Sequence, residues 1–428
     1  MKTQILSLIK NLNQSQWWSD AEIENLQNFE LTHLVRHLAK HNRYFQLRLA
    51  KQNLPPDSVN TVQSLKQLKP FTKRDIQDAG DTFESLEVPK EHLPTGEVQS
   101  SGSTGTPVKL KKTVINNVFY YAMTIRDHEW YNRDLTGKLA SIRFLYEVME
   151  ADNWTGPSGY LYKTGPGLGI PVTTDIHEQL RILIKFQPNV LMAHAGVLTA
   201  FVTEWERNGL TLTELKHIKN IGDTVHDSLR ERIKAITGLT LEDAYSSSEL
   251  GSIAVQCPVS GLYHLMSENL IVEILDNEGN DCTTGQVGRV VVTDLYNTAS
   301  PIVRYDLGDY AEVGPRCTCG RHGFTLKRII GRERGLLTRA DGTRFWPSGG
   351  QYRMLDKFNV RQWQIIQHSL DDIEYRLVTD QEPDEETKTK MAEVAGNLLG
   401  FPDKVRITWF PNSIPTKNGK FEESICLL

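Results

Sequence analysis

The sequence predicts an α/β protein: a large N-terminal domain of α/β sheets containing a β-rich subdomain, followed by a small α+β C-terminal domain. Three observations predict it. Short apolar runs alternate with helical patterns beyond residue 100, a β-rich stretch occupies about 271–313, and the last 80 residues read as a separate small α+β unit. Residues 1 to about 90 are expected to be helical, because 21–26 and 31–38 carry apolar residues three and four apart; Pro55, Pro56 and Pro70 punctuate them. The runs 189–193 and 217–222 read as short buried strands, with helical patterns at 197–208 and 228–237 between and after them. That alternation favours a largely parallel sheet. Next come a strand over 270–275, a turn at 277–280 and a strand over 288–293, and then a turn-rich connection near 331–347.

With 428 residues, 39% of them hydrophobic, the chain can bury a sizeable core and is long enough for two or three domains. It contains no internal repeat or low-complexity tract. Mean hydropathy is −0.39, no apolar run approaches the roughly 18 residues of a membrane span, and the apolar patch at 5–9 is too short for a signal-peptide core. The expectation is a cytoplasmic protein with no membrane partner. Lys and Arg total 48 against 53 Asp and Glu, a net charge of −5, which argues against a nucleic-acid partner held by a broad positive field. Five cysteines, few and unevenly placed, do not make a disulfide framework; metal binding is the better use for some of them.

The most informative stretch is Ser100-Ser101-Gly102-Ser103-Thr104-Gly105-Thr106-Pro107-Val108-Lys109. Glycines and hydroxyls packed into one loop bring backbone N–H groups close to phosphate oxygens, so the loop suits a triphosphate; the competing reading is a flexible surface linker. It is not the common P-loop, which wants a glycine and then a lysine where this chain has Pro107-Val108. Nor does Gly165-Pro166-Gly167-Leu168-Gly169-Ile170 complete a dinucleotide fingerprint, since Ile170 stands at its last glycine. Downstream, Asp243-Ala244-Tyr245-Ser246-Ser247-Ser248-Glu249 offers a ring to stack on a base and a carboxylate to hold Mg²⁺. Asp309, after Gly308, is suited to ribose hydroxyls, and Arg332, after Gly331, to phosphate or ribose.

In their joint order these segments resemble the adenylate-forming superfamily of acyl- and aryl-CoA synthetases, and most closely its phenylacetate–CoA ligase-like branch, over roughly 60 to 428. The resemblance implies that Ser100, Ser101, Gly102, Ser103, Thr104, Gly105 and Lys109 form the phosphate loop. It also implies that Tyr245 stacks on adenine, Ser248 touches the α-phosphate, Glu249 binds Mg²⁺, Asp309 holds the ribose and Arg332 assists there. Gly222 and Asp223 stand where relatives often show Gly-Gly-Glu. Ile414-Pro415-Thr416-Lys417-Asn418-Gly419-Lys420 looks like the C-terminal signature, which makes Lys420 the adenylation lysine. By the same resemblance, 1–332 is the adenylation domain and 333–428 a mobile lid. The acid pocket draws on Phe144, Tyr146, Ala193, His194, Ala195 and Gly196, with core packing as the competing reading for each. The implied activity is ATP- and Mg²⁺-dependent activation of an aryl or small organic carboxylic acid, with the acyl group passed to CoA or, alternatively, to an amine or carrier protein. A nucleotide-binding protein without turnover is the rival of a different class. Dimers are frequent in the branch, so a homodimer is among the assemblies implied.

The chain departs from the family pattern at Arg334, where many members pivot the lid on an Asp, and at Asp306-Leu307, where Thr is common. Cys257, His264, Cys317 and Cys319 together supply three thiolates and one imidazole, a closed set of the kind structural zinc uses; relatives in the branch carry a similar arrangement. His322 competes as a ligand, and reduced thiols beside a hydrogen-bonded histidine are the metal-free alternative.

Overall fold

In the N-terminal region, apolar side chains at helical spacing bury one face of each helix. In α1 (Lys2–Ser15) these are Ile5, Ile9 and Leu12. α2 (Asp20–His41) starts at a capping box in which Ser19 and Glu22 satisfy each other's backbone N–H. α3 (Arg43–Lys51), α4 (Val62–Leu65) and α5 (Lys73–Ala79) follow. The computed structural model describes residues 1–99, 108–222, 224–225, 227–321, 323–332, 335–345, 347, 357–360, 362–411, 414 and 424–428.

An antiparallel pair, β1 (Gly96–Gln99) and β2 (Lys109–Lys112), precedes α6 (Val114–Trp130), which is capped by Thr113 and Asn116. Then come β3 (Leu139–Arg143), β4 (Met149–Ala151), α7 (Gly156–Leu161), β5 (Gly167–Pro171), α8 (Ile176–Phe186), β6 (Val190–Ala193), α9 (Ala195–Asn208), β7 (His217–Asn220), α10 (Asp227–Thr237) and β8 (Leu241–Glu242). The strands order as β4-β5-β3-β6-β7-β8. β6 pairs with β7 in parallel and is buried along its whole length, as a strand covered on both faces should be.

A seven-stranded sheet, in the order β12-β13-β14-β15-β11-β10-β9, is built from β9 (Ala244–Ser247), β10 (Gly251–Gln256), β11 (Tyr263–Leu265), β12 (Leu270–Leu275), β13 (Val287–Asp294), β14 (Tyr305–Val313) and β15 (Thr325–Arg332). The stretch expected to be a turn-rich connection starts inside β15 and then forms a small hairpin, β16 (Leu337–Thr338) with β17 (Arg344–Phe345). Four further strands, β18 (Gln362–Gln367), β19 (Ile373–Val378), β20 (Val405–Phe410) and β21 (Ser424–Cys426), make a sheet in the order β20-β19-β18-β21, and α11 (Glu385–Leu399) precedes β20.

The chain divides into two compact units. The first comprises Met1–Leu139, Glu150–Gly167 and Glu242–Ile330; the second comprises Ala140–Met149, Leu168–Leu241 and Gly331–Leu428. A core cluster of the first unit gathers Phe71, Leu110, Tyr245, Ile253, Val290, Val292 and Tyr305; each aliphatic side chain so buried is worth about 1.5–3 kcal/mol. In the second unit, Ala140, Ile170, Leu183, Ala193, Phe201 and Ile218 pack together, and a separate cluster around Ile365, Tyr375 and Met391 supports the C-terminal sheet. Among the described residues, no helix is long and apolar enough to cross a membrane.

Candidate active site and metal centre

Tyr245 lies on β9, the outermost strand of the seven-stranded sheet, and Asp309 on β14, four strand positions away. In a flat sheet those strands would stand about 19 Å apart, beyond the reach of the two side chains. Their contact therefore requires the sheet to curl. The Tyr245 hydroxyl donates to Asp309 Oδ2 at 2.6 Å, and both residues are buried.

Local irregularities aim them. Along β13, Arg289 faces Tyr310 and Val291 faces Asp306, so two extra residues of β14 bulge between those pairs. The bulge holds Leu307, Gly308 and Asp309, and Gly308, at φ 70°, takes the left-handed conformation that presents the aspartate. Asp306 accepts from Arg289 at 2.8 Å and from the Gly308 N–H at 2.9 Å. Just ahead, buried Arg304 donates to both oxygens of Glu273, at 2.9 and 2.8 Å, and to the carbonyls of Lys66 and Leu68. Phe71 pairs with Tyr305 through two backbone bonds, Phe71 N–H to the Arg304 carbonyl at 3.0 Å and Asp306 N–H to the Phe71 carbonyl at 2.8 Å. This network locks the start of β14.

Ser248 and Glu249 occupy the turn between β9 and β10, closed by the Leu250 N–H donating to Ser247 Oγ at 3.1 Å. Ser248 is exposed and Glu249 buried. Two further charged groups nearby escaped the motif reading. Lys112, at the end of β2, is lowered by burial against the opposing pull of the Asp294 and Glu249 carboxylates. Burial pushes the Asp294 carboxyl up to about 6, against hydrogen bonds from the Tyr296 N–H at 3.1 Å and Asn116 Nδ2 at 3.0 Å and against the charge of Lys112. The alternation Lys109-Leu110-Lys111-Lys112 was the available sequence signal, since Leu110 is buried and its neighbours are not.

In the second unit, His194 caps α9 and its ring meets that of Phe144, with centroids 5.5 Å apart at 59°. Gly222, at φ 80°, passes so close that a Cβ there would lie 3.2 Å from His194 Cε1. Ala193 is fully buried on β6, Ala195 and Gly196 open α9 half-buried, Phe144 is half exposed and Tyr146 is fully exposed. Lys109 is exposed and 3.9 Å from Glu97. Ser100, Ser101, Gly102, Ser103, Thr104, Gly105, Asp223, Arg334, Lys420 and His322 lie outside the described residues, as does the Arg332 side chain.

The four cysteine and histidine residues converge. Their ligand atoms, from Cys257, His264, Cys317 and Cys319, all lie within 4.8 Å of one another. Cys317 Sγ is 3.7 Å from Cys257 Sγ, and Cys319 Sγ is 3.3 Å from His264 Nε2. A tetrahedral zinc with thiolates at about 2.3 Å sets its ligands about 3.8 Å apart, so the donor set fits in kind and spacing. Gly320, at φ 86°, turns the chain after the second thiol. Burial raises the Cys257 thiol, but N–H groups of Ser260 and Val259, the Ser260 hydroxyl and Cys317 outweigh it and hold the thiol below its ordinary value. Burial pushes Cys319 up to about 11, opposed by the Arg321 N–H.

An aromatic wall backs the cluster. The Trp130 ring meets His264 edge-on at 5.6 Å, and the Arg321 guanidinium lies 4.3 Å from the Trp130 ring and 5.1 Å from that of Trp17. Gln16 Oε1 accepts from both Arg321 Nε, at 3.0 Å, and Trp130 Nε1, at 2.8 Å. The end of α1 is thereby tied to the cysteine turn.

The fold is shared with solved CoA ligases. Over 96% of this chain and 90% of the other it matches 2-hydroxyisobutyryl-CoA ligase, solved in the postadenylation state in complex with R3-HIB-AMP, with a TM-score of 0.73 at 15% identity. Its sequence relatives include the phenylacetate-coenzyme A ligase of Thermus thermophilus, 24% identical over 329 residues, 74% of this chain and 72% of that protein. Protein CapK of Staphylococcus aureus is 22% identical over 396 residues, 85% of this chain and 80% of its own. No family model matches the sequence. The resemblance read from the motifs and the α/β architecture expected from the sequence both hold.

Proposed function

We propose that this chain is an AMP-forming carboxylate ligase that activates a carboxylic acid with ATP and transfers the acyl group to CoA. The observation that carries the reading is the buried Tyr245–Asp309 pair, in which two motif residues 64 positions apart meet at 2.6 Å on a curled sheet. The phenylacetate-coenzyme A ligases among the relatives support the same activity.

In this reading the Tyr245 ring takes adenine, Asp309 and Arg332 take the ribose, and the loop 100–105 with Lys109, Gly222 and Asp223 lies along the phosphates. Ser248 contacts the α-phosphate and Glu249 holds Mg²⁺. The acid sits among Phe144, Tyr146, Ala193, His194, Ala195 and Gly196, where small residues leave room for a planar or bulky group and the aromatic rings favour an aryl one. A carboxylate oxygen bonds to the α-phosphorus while the bond to the bridging oxygen breaks and pyrophosphate leaves. Lys420, on the lid 333–428, stabilises the charge gathering on the phosphate oxygens. Bound Mg²⁺ supplies further charge neutralisation there. The thiolate of CoA then attacks the acyl carbon and AMP departs.

Cys257, His264, Cys317 and Cys319 hold a structural zinc, closed to substrate by its four protein ligands. A cytoplasmic location keeps their thiols reduced, and a homodimer is the assembly in this reading. Transfer to an amine or carrier protein is the second reading, favoured by Arg334 at the hinge position.

The test is acid-dependent ATP–pyrophosphate exchange over a panel of aryl, alkyl and hydroxy acids. A subset of acids is expected to give exchange, and hydroxylamine to capture the same acyl groups. No exchange above background with any acid, with Lys420→Ala indistinguishable from wild type, would leave nucleotide binding without turnover. Offering the trapped adenylate CoA or amines separates the two acceptors.

A further inference from the structure

Tyr245 carries a hydroxyl that stacking on a base does not use, and the structure gives it a specific partner. A phenylalanine would present the same π-face. Here the O–H spans from the outer strand β9 to the bulge of β14 and ends on Asp309 Oδ2 at 2.6 Å, with Tyr245 7% and Asp309 5% exposed. A short O–H···O⁻ bond shielded from water is among the stronger hydrogen bonds a protein makes. It also acts at a mechanically weak place. Asp309 follows Gly308 in a bulge of two extra residues, where ladder pairing with β13 is interrupted.

We propose that the Tyr245 hydroxyl is the positioning group for the Asp309 carboxylate, so that one hydrogen bond sets both the ring that takes the base and the carboxylate that selects the ribose hydroxyls. The inference rests on the nucleotide reading above and adds to it a residue-level source of sugar specificity. An ionised carboxylate has about four lone-pair positions, and the phenolic donor takes one of them. Turning the carboxylate away from its set orientation loses the bonds to the sugar hydroxyls while leaving base stacking and phosphate contacts in place.

The experiment measures binding of ATP, 2′-deoxyATP and 3′-deoxyATP to the intact protein by titration calorimetry. Wild type, Tyr245→Phe, Asp309→Asn and the double variant are compared, each checked for its thermal unfolding midpoint. Tyr245→Phe is expected to weaken ATP by about tenfold, the size of one hydrogen bond to a charged group, and the deoxy analogues by much less, so that preference for the ribonucleotide falls. In exchange assays the loss is carried mainly by KM for ATP. The double variant should lose little beyond Asp309→Asn alone, because the hydroxyl acts through that carboxylate. Equal weakening of all three nucleotides, additive losses in the double variant, or no loss in Tyr245→Phe would overturn the proposal. If Tyr245→Phe fails to fold, Asp309→Asn with unchanged ribonucleotide preference overturns it instead. A wild type that binds no ATP overturns the nucleotide reading itself, a result distinct from loss of sugar preference alone.

Discussion

Two corners of the same curled sheet are built on opposite plans. The cysteine–histidine corner closes by short chain segments: a Cys-x-Cys turn bites back on itself, a hairpin supplies the other two ligands, and a wall of Trp17, Trp130 and Arg321 packs behind it. The nucleotide corner is drawn from strands four positions apart and depends on a bulge, a curl and one hydroxyl–carboxylate bond. The first corner gathers its four ligand atoms within 4.8 Å of one another. The second pairs a phenolic hydroxyl with a carboxylate, and the reaction proposed there calls on Lys420. The difference teaches that the metal corner can be tested by composition and stability, and the corner proposed for the nucleotide by binding and turnover.

The largest effect should come from removing the cation assigned to the reaction. Lys420→Ala is expected to lower the adenylation rate about a thousandfold, the scale of losing one preorganised electrostatic contact in a transition state, while the unfolding midpoint stays near that of wild type. A rate within tenfold of wild type would take Lys420 out of the chemistry. On the other corner, Cys317→Ser should cut zinc from near one equivalent to a few tenths or less and cost about 3 kcal/mol or more of stability. Equal metal content in the variant and wild type would separate the thiols from any ion.

A third change sharpens the boundary of the nucleotide corner. Asp294 has a folded value raised from 3.8 to about 6 by burial. Its contribution to stability is therefore fully present below about pH 4 and lost as pH rises through about 6. Asp294→Asn should gain on wild type by up to about 3 kcal/mol between pH 4 and pH 7, in denaturant titrations at each pH. A pH-independent difference would mean the carboxyl titrates normally. The smallest effect belongs to the aromatic wall. Arg321→Ala should retain zinc, cost about 1 kcal/mol, and change the tryptophan emission, because Trp17 and Trp130 lose the cation between them.

Much of this was legible in residues alone. The Cys-x-Cys spacing of Cys317 and Cys319 and the hairpin that carries Cys257 and His264 are local, so the metal set could be written down before any fold was known. The helical N-terminus and the parallel strands at 190–193 and 217–220 followed from apolar periodicity, which survives wherever a face is buried. Tyr245 and Asp309 could be named from their motifs, but their contact could not, because it depends on the curl of a sheet whose strand order is non-sequential. Asp294 was missed for a related reason: it is an ordinary charged residue in sequence, and only burial beside Lys112 distinguishes it. Asp306 reads as a departure from the motif until Arg289 appears across the ladder, 2.8 Å away.

In the proposed reaction the acid's own oxygen attacks the α-phosphorus of ATP. Supplying an exchange-positive acid labelled with ¹⁸O in its carboxylate, with ATP, Mg²⁺ and CoA, and following the products by ³¹P NMR and mass spectrometry tests it most directly. One ¹⁸O is expected in the phosphate of AMP and none in pyrophosphate. Label in inorganic phosphate, with ADP as the nucleotide product, would contradict it.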